Sequence, residues 1–76
     1  MGNADKRILA ICREDFVRLQ FLYNALANAA LEPITNYTYI ASLCRSLHAR
    51  GYLYKRATRK MTSYMTAPAG KALLND

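Results

Sequence analysis

The sequence predicts a small α+β domain laid out as helix, turn, helix, β-hairpin and short helix. Three observations predict it. Apolar residues recur at helical steps from about Ala4 to Ala30 and again from about Asn36 to Arg50. Two short runs rich in tyrosine, threonine and methionine then flank a basic turn. Pro33, Gly51 and Pro68 fall between these segments, where helices stop and start. The 76 residues make one domain, residues 1–76. A chain of this size buries only about 60% of the surface its unfolded form exposes, so its stability is marginal. An apolar share of 53% still suffices for a packed core.

The first stripe runs through Ile8, Cys12, Phe16, Leu19, Tyr23, Leu26 and Ala30, widened by Leu9, Val17 and Leu22. It contains no internal glycine or proline, which predicts one long N-terminal helix. The alternative is a break at Arg13-Glu14-Asp15, with Asp15 capping a second helix. Pro33 ends the pattern and favours extended backbone at Glu32. Asn36 or Thr38 can cap the next helix, whose apolar face is Ile40, Leu43, Cys44 and Leu47 and whose stop is Gly51. Tyr52–Ala57 and Met61–Thr66 alternate as strands around a Thr58-Arg59-Lys60 tip. The last helix runs from Pro68 to Leu74 and frays at Asn75, proline being tolerated in a first turn.

Charge is distributed unevenly. Residues 1–32 carry four basic and four acidic side chains, whereas residues 33–76 carry seven basic ones against Asp76 alone. The net +6 is thus confined to the second half, a concentrated field that a polyanion meets first. On the second helix Thr38, Ser42, Arg45 and Ala49 lie opposite the apolar face, flanked by Tyr39 and Ser46. Hydroxyls, a tyrosine and an arginine without an acid suit a helix in a major groove, where Arg45 can pair with guanine O6 and N7. An ordinary solvated helix face has the same period. Lys55, Arg56, Arg59 and Lys60 crowd the hairpin, as backbone contacts of a nucleic acid would. Guarding an exposed strand edge is the alternative use of such charge.

The stretch Leu47-His48-Ala49-Arg50-Gly51-Tyr52-Leu53, the basic turn, and Tyr64-Met65-Thr66-Ala67-Pro68-Ala69-Gly70-Lys71-Ala72-Leu73-Leu74 resemble the C-terminal half of a winged helix-turn-helix protein of the MarR or PadR type. The resemblance covers about residues 36–74. It implies a small winged-helix domain with a recognition helix at about 36–50, a β-hairpin wing at 53–66 and a short C-terminal helix. It also implies sequence-specific binding of double-stranded DNA by a transcriptional regulator. The family places a compact helix before the recognition helix, which here only the end of the first stripe, Ala25–Ala30, is left to supply. Its leucine-threonine-x-x-glycine step puts Thr66 where leucine stands, with Met65 filling that core position after a bulge.

Other functions find little support. His48 is a helix-flank residue, Glu14 and Asp15 are adjacent and point to different sides, and no glycine-rich phosphate loop occurs, so the chain is not expected to be an enzyme. Cys12 and Cys44 read as buried, reduced thiols. With one histidine they do not make up a zinc set, and no cofactor is expected. No apolar run reaches membrane-spanning length and no signal sequence opens the chain, which predicts a cytoplasmic, nucleoid-associated protein without a small-molecule substrate. Phe16, Leu19, Phe21, Leu22 and Leu26 exceed what a small core needs, which points to a homodimer through the N-terminal helix. A winged fold that binds an acidic protein surface, and tyrosines that stack RNA bases, are the competing readings.

Overall fold

The computed structural model describes residues 3–29 and 37–75. In chain order the elements are α1 (Asn3–Ile11), β1 (Val17–Arg18), α2 (Leu19–Ala29), α3 (Tyr37–Ala49), β2 (Leu53–Ala57), β3 (Thr62–Thr66) and α4 (Pro68–Leu74). The α+β class and the winged arrangement of the second half are as the sequence predicts. Pro33 and the Asn36 cap lie outside the described residues.

The long N-terminal helix is corrected to two helices with a short strand between them. The physical cause is remote in sequence. At the end of α1 the Leu9 carbonyl accepts from Thr66 Oγ1 at 2.6 Å and the Cys12 carbonyl from the Thr66 amide at 3.0 Å. Carbonyls freed by stopping the helix are thus satisfied from the end of β3. Asp15 is not a helix cap. Its Oδ1 accepts from the Phe16 amide at 2.7 Å and turns the chain into β1. Leu19–Ala29 is then the compact helix before α3, a longer element than Ala25–Ala30.

The three strands lie in the order β1-β3-β2, both pairs antiparallel. Val17 and Lys55 flank Tyr64 in one row, and Arg18 and Arg56 flank Ser63 in the next. Register is unbroken from Leu53↔Thr66 to Ala57↔Thr62, so no bulge moves Met65 inward. Thr66 itself occupies the core position expected of Met65, its hydroxyl satisfied by Leu9. A buried threonine is tolerable there because its polar atom has a partner. At the hairpin tip Thr58 N–H donates to the Met61 carbonyl (2.7 Å), and the Met61 amide donates to Thr58 Oγ1 (3.2 Å). These bonds close a turn with Arg59 and Lys60 at its centre.

The core is formed by Ile8 and Leu9 of α1, Cys12 just after it, Leu22 and Leu26 of α2, Ile40, Cys44 and Leu47 of α3, and Leu53 and Tyr64 of the sheet. Leu22 and Leu26 are therefore spent inside the protein rather than on a dimer face. Leu19 packs on the core and Phe16 is half-buried, leaving Phe21, at 61% exposure, as the open apolar residue of that set. At the end of α3, Tyr52 N–H donates to the Leu47 carbonyl and Gly51 N–H to that of His48, with Gly51 at φ 85°. This Schellman closure needs the left-handed backbone that glycine adopts at little cost. His48 Nδ1 donates to the Leu53 carbonyl (2.9 Å), so the ring ties helix to strand.

Both thiols are buried and unbonded. Burial pushes Cys12 and Cys44 up to about 12, helped for Cys12 by Cys44 and for Cys44 by Asp5. A thiol in the unfolded chain titrates near its ordinary 9.0, so it ionises there while the folded one stays neutral. Stability is accordingly full below pH 9 and falls as pH rises beyond it. Urea midpoints should agree at pH 7 and 8 and drop at pH 10. The drop should shrink in a Cys12→Ala, Cys44→Ala variant, with a remainder from Tyr64, whose hydroxyl burial also pushes up.

Candidate nucleic-acid interface

Core packing decides which side of α3 faces out. Ile40, Cys44 and Leu47 are fully buried, which rotates Thr38, Tyr39, Ser42, Arg45 and Ser46 to the exposed side. All five residues that the sequence pattern singles out on this helix are thus accessible. The helix is held at both ends. Near its start Tyr37 packs edge-on against Tyr23 of α2, with ring centroids 5.7 Å apart, and at its end the His48 and Gly51 bonds join it to β2. The exposed face therefore sits on a rigid element, as a groove-reading surface must.

Lys55, Arg56, Arg59 and Lys60 are likewise exposed on the hairpin. Arg56 lies with its guanidinium 4.3 Å from the centre of the Phe16 ring, a cation–π contact that fixes its stem along the outer sheet face. No acid occurs between Pro33 and Asn75 in the sequence. Among the described residues the one ion pair is Arg13–Glu14, at 3.5 Å and well away from these cations in sequence. The positive field of α3 and the hairpin is thus not neutralised by any residue from Pro33 to Asn75.

Two hollows border β1, and no local sequence pattern announces either. One is an open groove of about 560 Å³ along β1 and α2, lined by Asp15, Phe16, Val17, Arg18, Gln20, Phe21 and Asn24. The other is a recess of about 250 Å³ where Arg18, Leu19 and Gln20 meet Tyr37 of α3 and Lys60, Met61 and Thr62 of the hairpin. Arg18 belongs to the half of the sequence whose charges cancel, and the recess depends on a strand that helical periodicity conceals. Among the described residues no group of three or more histidine, cysteine, aspartate or glutamate side chains is placed to hold a metal, and no helix is long and apolar enough to cross a membrane.

No protein-family model and no curated relative matches the sequence. Solved structures do. A PadR family transcription regulator from Clostridium difficile superposes with a TM-score of 0.84 at 10% identity, over 97% of this chain and 81% of that one. BpsR of Bordetella bronchiseptica, whose DNA binding is regulated by 6-hydroxynicotinic acid, superposes with a TM-score of 0.79 at 20% identity, over 99% of this chain and 50% of that one. At such identities the likeness is one of fold. With α2 and α3 packed ahead of a basic β-hairpin, this protein has the winged-helix fold of those regulators.

Proposed function

We propose that the protein is a transcription regulator that binds double-stranded DNA, with α3 in the major groove and the β2–β3 hairpin on the sugar-phosphate backbone. The observation that carries this reading is the pairing of two surfaces. One is a rigid, acid-free helix face presenting Thr38, Ser42 and Arg45, and the other is an exposed hairpin presenting Lys55, Arg56, Arg59 and Lys60. Arg45 has the fork geometry to read guanine, and Tyr39, Ser42 and Ser46 contribute hydroxyls to bases or phosphates. The hairpin cations contribute affinity without sequence preference. Winged-helix neighbours that are transcription regulators support the assignment.

The hairpin half of this reading is tested by salt. Removing one cation from a phosphate should flatten the slope of log K against log salt by about 0.9. Arg59→Ala and Lys60→Ala should therefore weaken binding to every duplex alike and lower the slope, measured by fluorescence anisotropy across a salt series. An unchanged slope in both variants would take the hairpin off the backbone.

A further inference from the structure

We propose that the recess between β1, α3 and the hairpin seats a single backbone phosphate of the bound duplex, clamped by Arg18 and Lys60; the inference rests on the DNA-binding reading above. Arg18 stands outside the set of residues that helix and wing patterns identify. The two cations come from distant parts of the chain and line one hollow of about 250 Å³ with no carboxylate among its described lining residues, Asp15 lying in the neighbouring groove that Arg18 also borders. Gathering like charges in one place without an acid is unfavourable in the free protein, and an anion between them relieves it. Neither cation has an ion-pair partner among the described residues.

The lining is also built to hold its shape. Arg18 is rooted by the pairing of β1 with β3, opposite Ser63. Lys60 is rooted in the turn closed by Thr58 and Met61. Tyr37 has its ring set by the edge-on contact with Tyr23, and Thr62 is half-buried at the start of β3. Tyr37 and Thr62 thus add two hydroxyl-bearing side chains to the lining beside the two charges, on backbones already ordered, which lowers the entropic cost of binding. The volume falls below the range of about 300–1,000 Å³ typical of small-molecule pockets, which suits one phosphate group rather than a drug-sized ligand. Since Tyr37 opens α3 and Lys60 sits at the wing tip, a phosphate held here ties the entry of the recognition helix to the wing and fixes the register of both on the duplex.

Shared use of one phosphate has a signature that separate contacts lack. Arg18→Ala and Lys60→Ala should each weaken duplex binding about tenfold, and the double variant should lose about twenty- to thirtyfold instead of the hundredfold that independent sites would multiply to. Arg18→Ala combined with Arg45→Ala, which share no partner, should multiply in full. Arg18→Lys should recover most of the affinity, and none of these exposed substitutions should move the urea midpoint. Full multiplication of Arg18→Ala with Lys60→Ala, or an Arg18→Ala variant that binds as tightly as the unaltered chain, overturns the clamp while leaving DNA binding intact. Should the unaltered chain bind no duplex, the DNA reading falls, and titration with inorganic pyrophosphate decides the recess. Amide shift changes confined to Arg18, Gln20, Tyr37, Lys60 and Thr62 would retain an anion seat for a free phosphate compound, and their absence would remove it.

Discussion

Gly70→Ala should destabilise the protein by about 2 kcal/mol, although alanine is the better helix former by about 1 kcal/mol. Gly70 lies buried within α4. A Cβ there would collide with the Tyr52 carbonyl oxygen and come within 2.7 Å of Thr66 Cγ2 and 3.1 Å of Leu9 Cδ2. None of these neighbours gives way cheaply. The Tyr52 carbonyl already accepts from the Ala67 amide at 3.0 Å, and Thr66 is bonded to both Leu9 and Cys12. Relief therefore means moving α4 off the sheet or breaking a buried bond, and overpacking of this kind costs about 1–3 kcal/mol, occasionally more. Ala69, one residue earlier and exposed, is the control. Ala69→Gly should lose only the helix-propensity difference of about 1 kcal/mol. Urea unfolding of both variants gives the comparison, and a stabilised Gly70→Ala protein would mean that α4 is seated elsewhere than against Tyr52 and Thr66.

Arg45→Ala is expected to leave the fold untouched and to erase preference at one base position. The side chain is exposed on a helix whose opposite side is locked into the core, so its removal opens no cavity. A bidentate arginine–guanine pair is worth about 1–3 kcal/mol of discrimination against the wrong base. Competition between matched and single-substituted duplexes should therefore show discrimination at that position falling about ten- to hundredfold, with the other positions unchanged. This pattern differs in kind from the uniform weakening expected of Arg59→Ala. If Arg45→Ala weakened every duplex equally, Arg45 would be a phosphate contact and the base-reading role would pass to another residue of the helix face.

What is legible in the sequence follows the range of the forces involved. The helix α3, the hairpin and α4 are announced by local signals. Gly51 is the residue a left-handed helix stop needs, Pro68 suits a first turn, and the alternation around Thr58-Arg59-Lys60 is visible within a dozen or so residues. The outward face of α3 follows from the same periodicity that buries Ile40, Cys44 and Leu47. The break between α1 and α2 is different. Its apolar steps continue in helical phase through Phe16, and the bonds that favour stopping come from Thr66, more than fifty residues away. Thr66 takes the core position expected of Met65 for a related reason, because a threonine reads as polar until a buried carbonyl is found to receive its hydroxyl. Arg18 belongs with these. Its place beside Lys60 exists only once β1 pairs with β3, and no local pattern encodes that pairing.

The most direct test of the central claim is selection from a random duplex pool at near-physiological salt, with sequencing of the bound fraction. A regulator that reads DNA through α3 should enrich a defined motif, and the Arg45→Ala protein should lose one position of it. Binding that enriches no motif and disappears as salt is raised would contradict the claim, leaving the basic face as an electrostatic surface for an acidic protein partner.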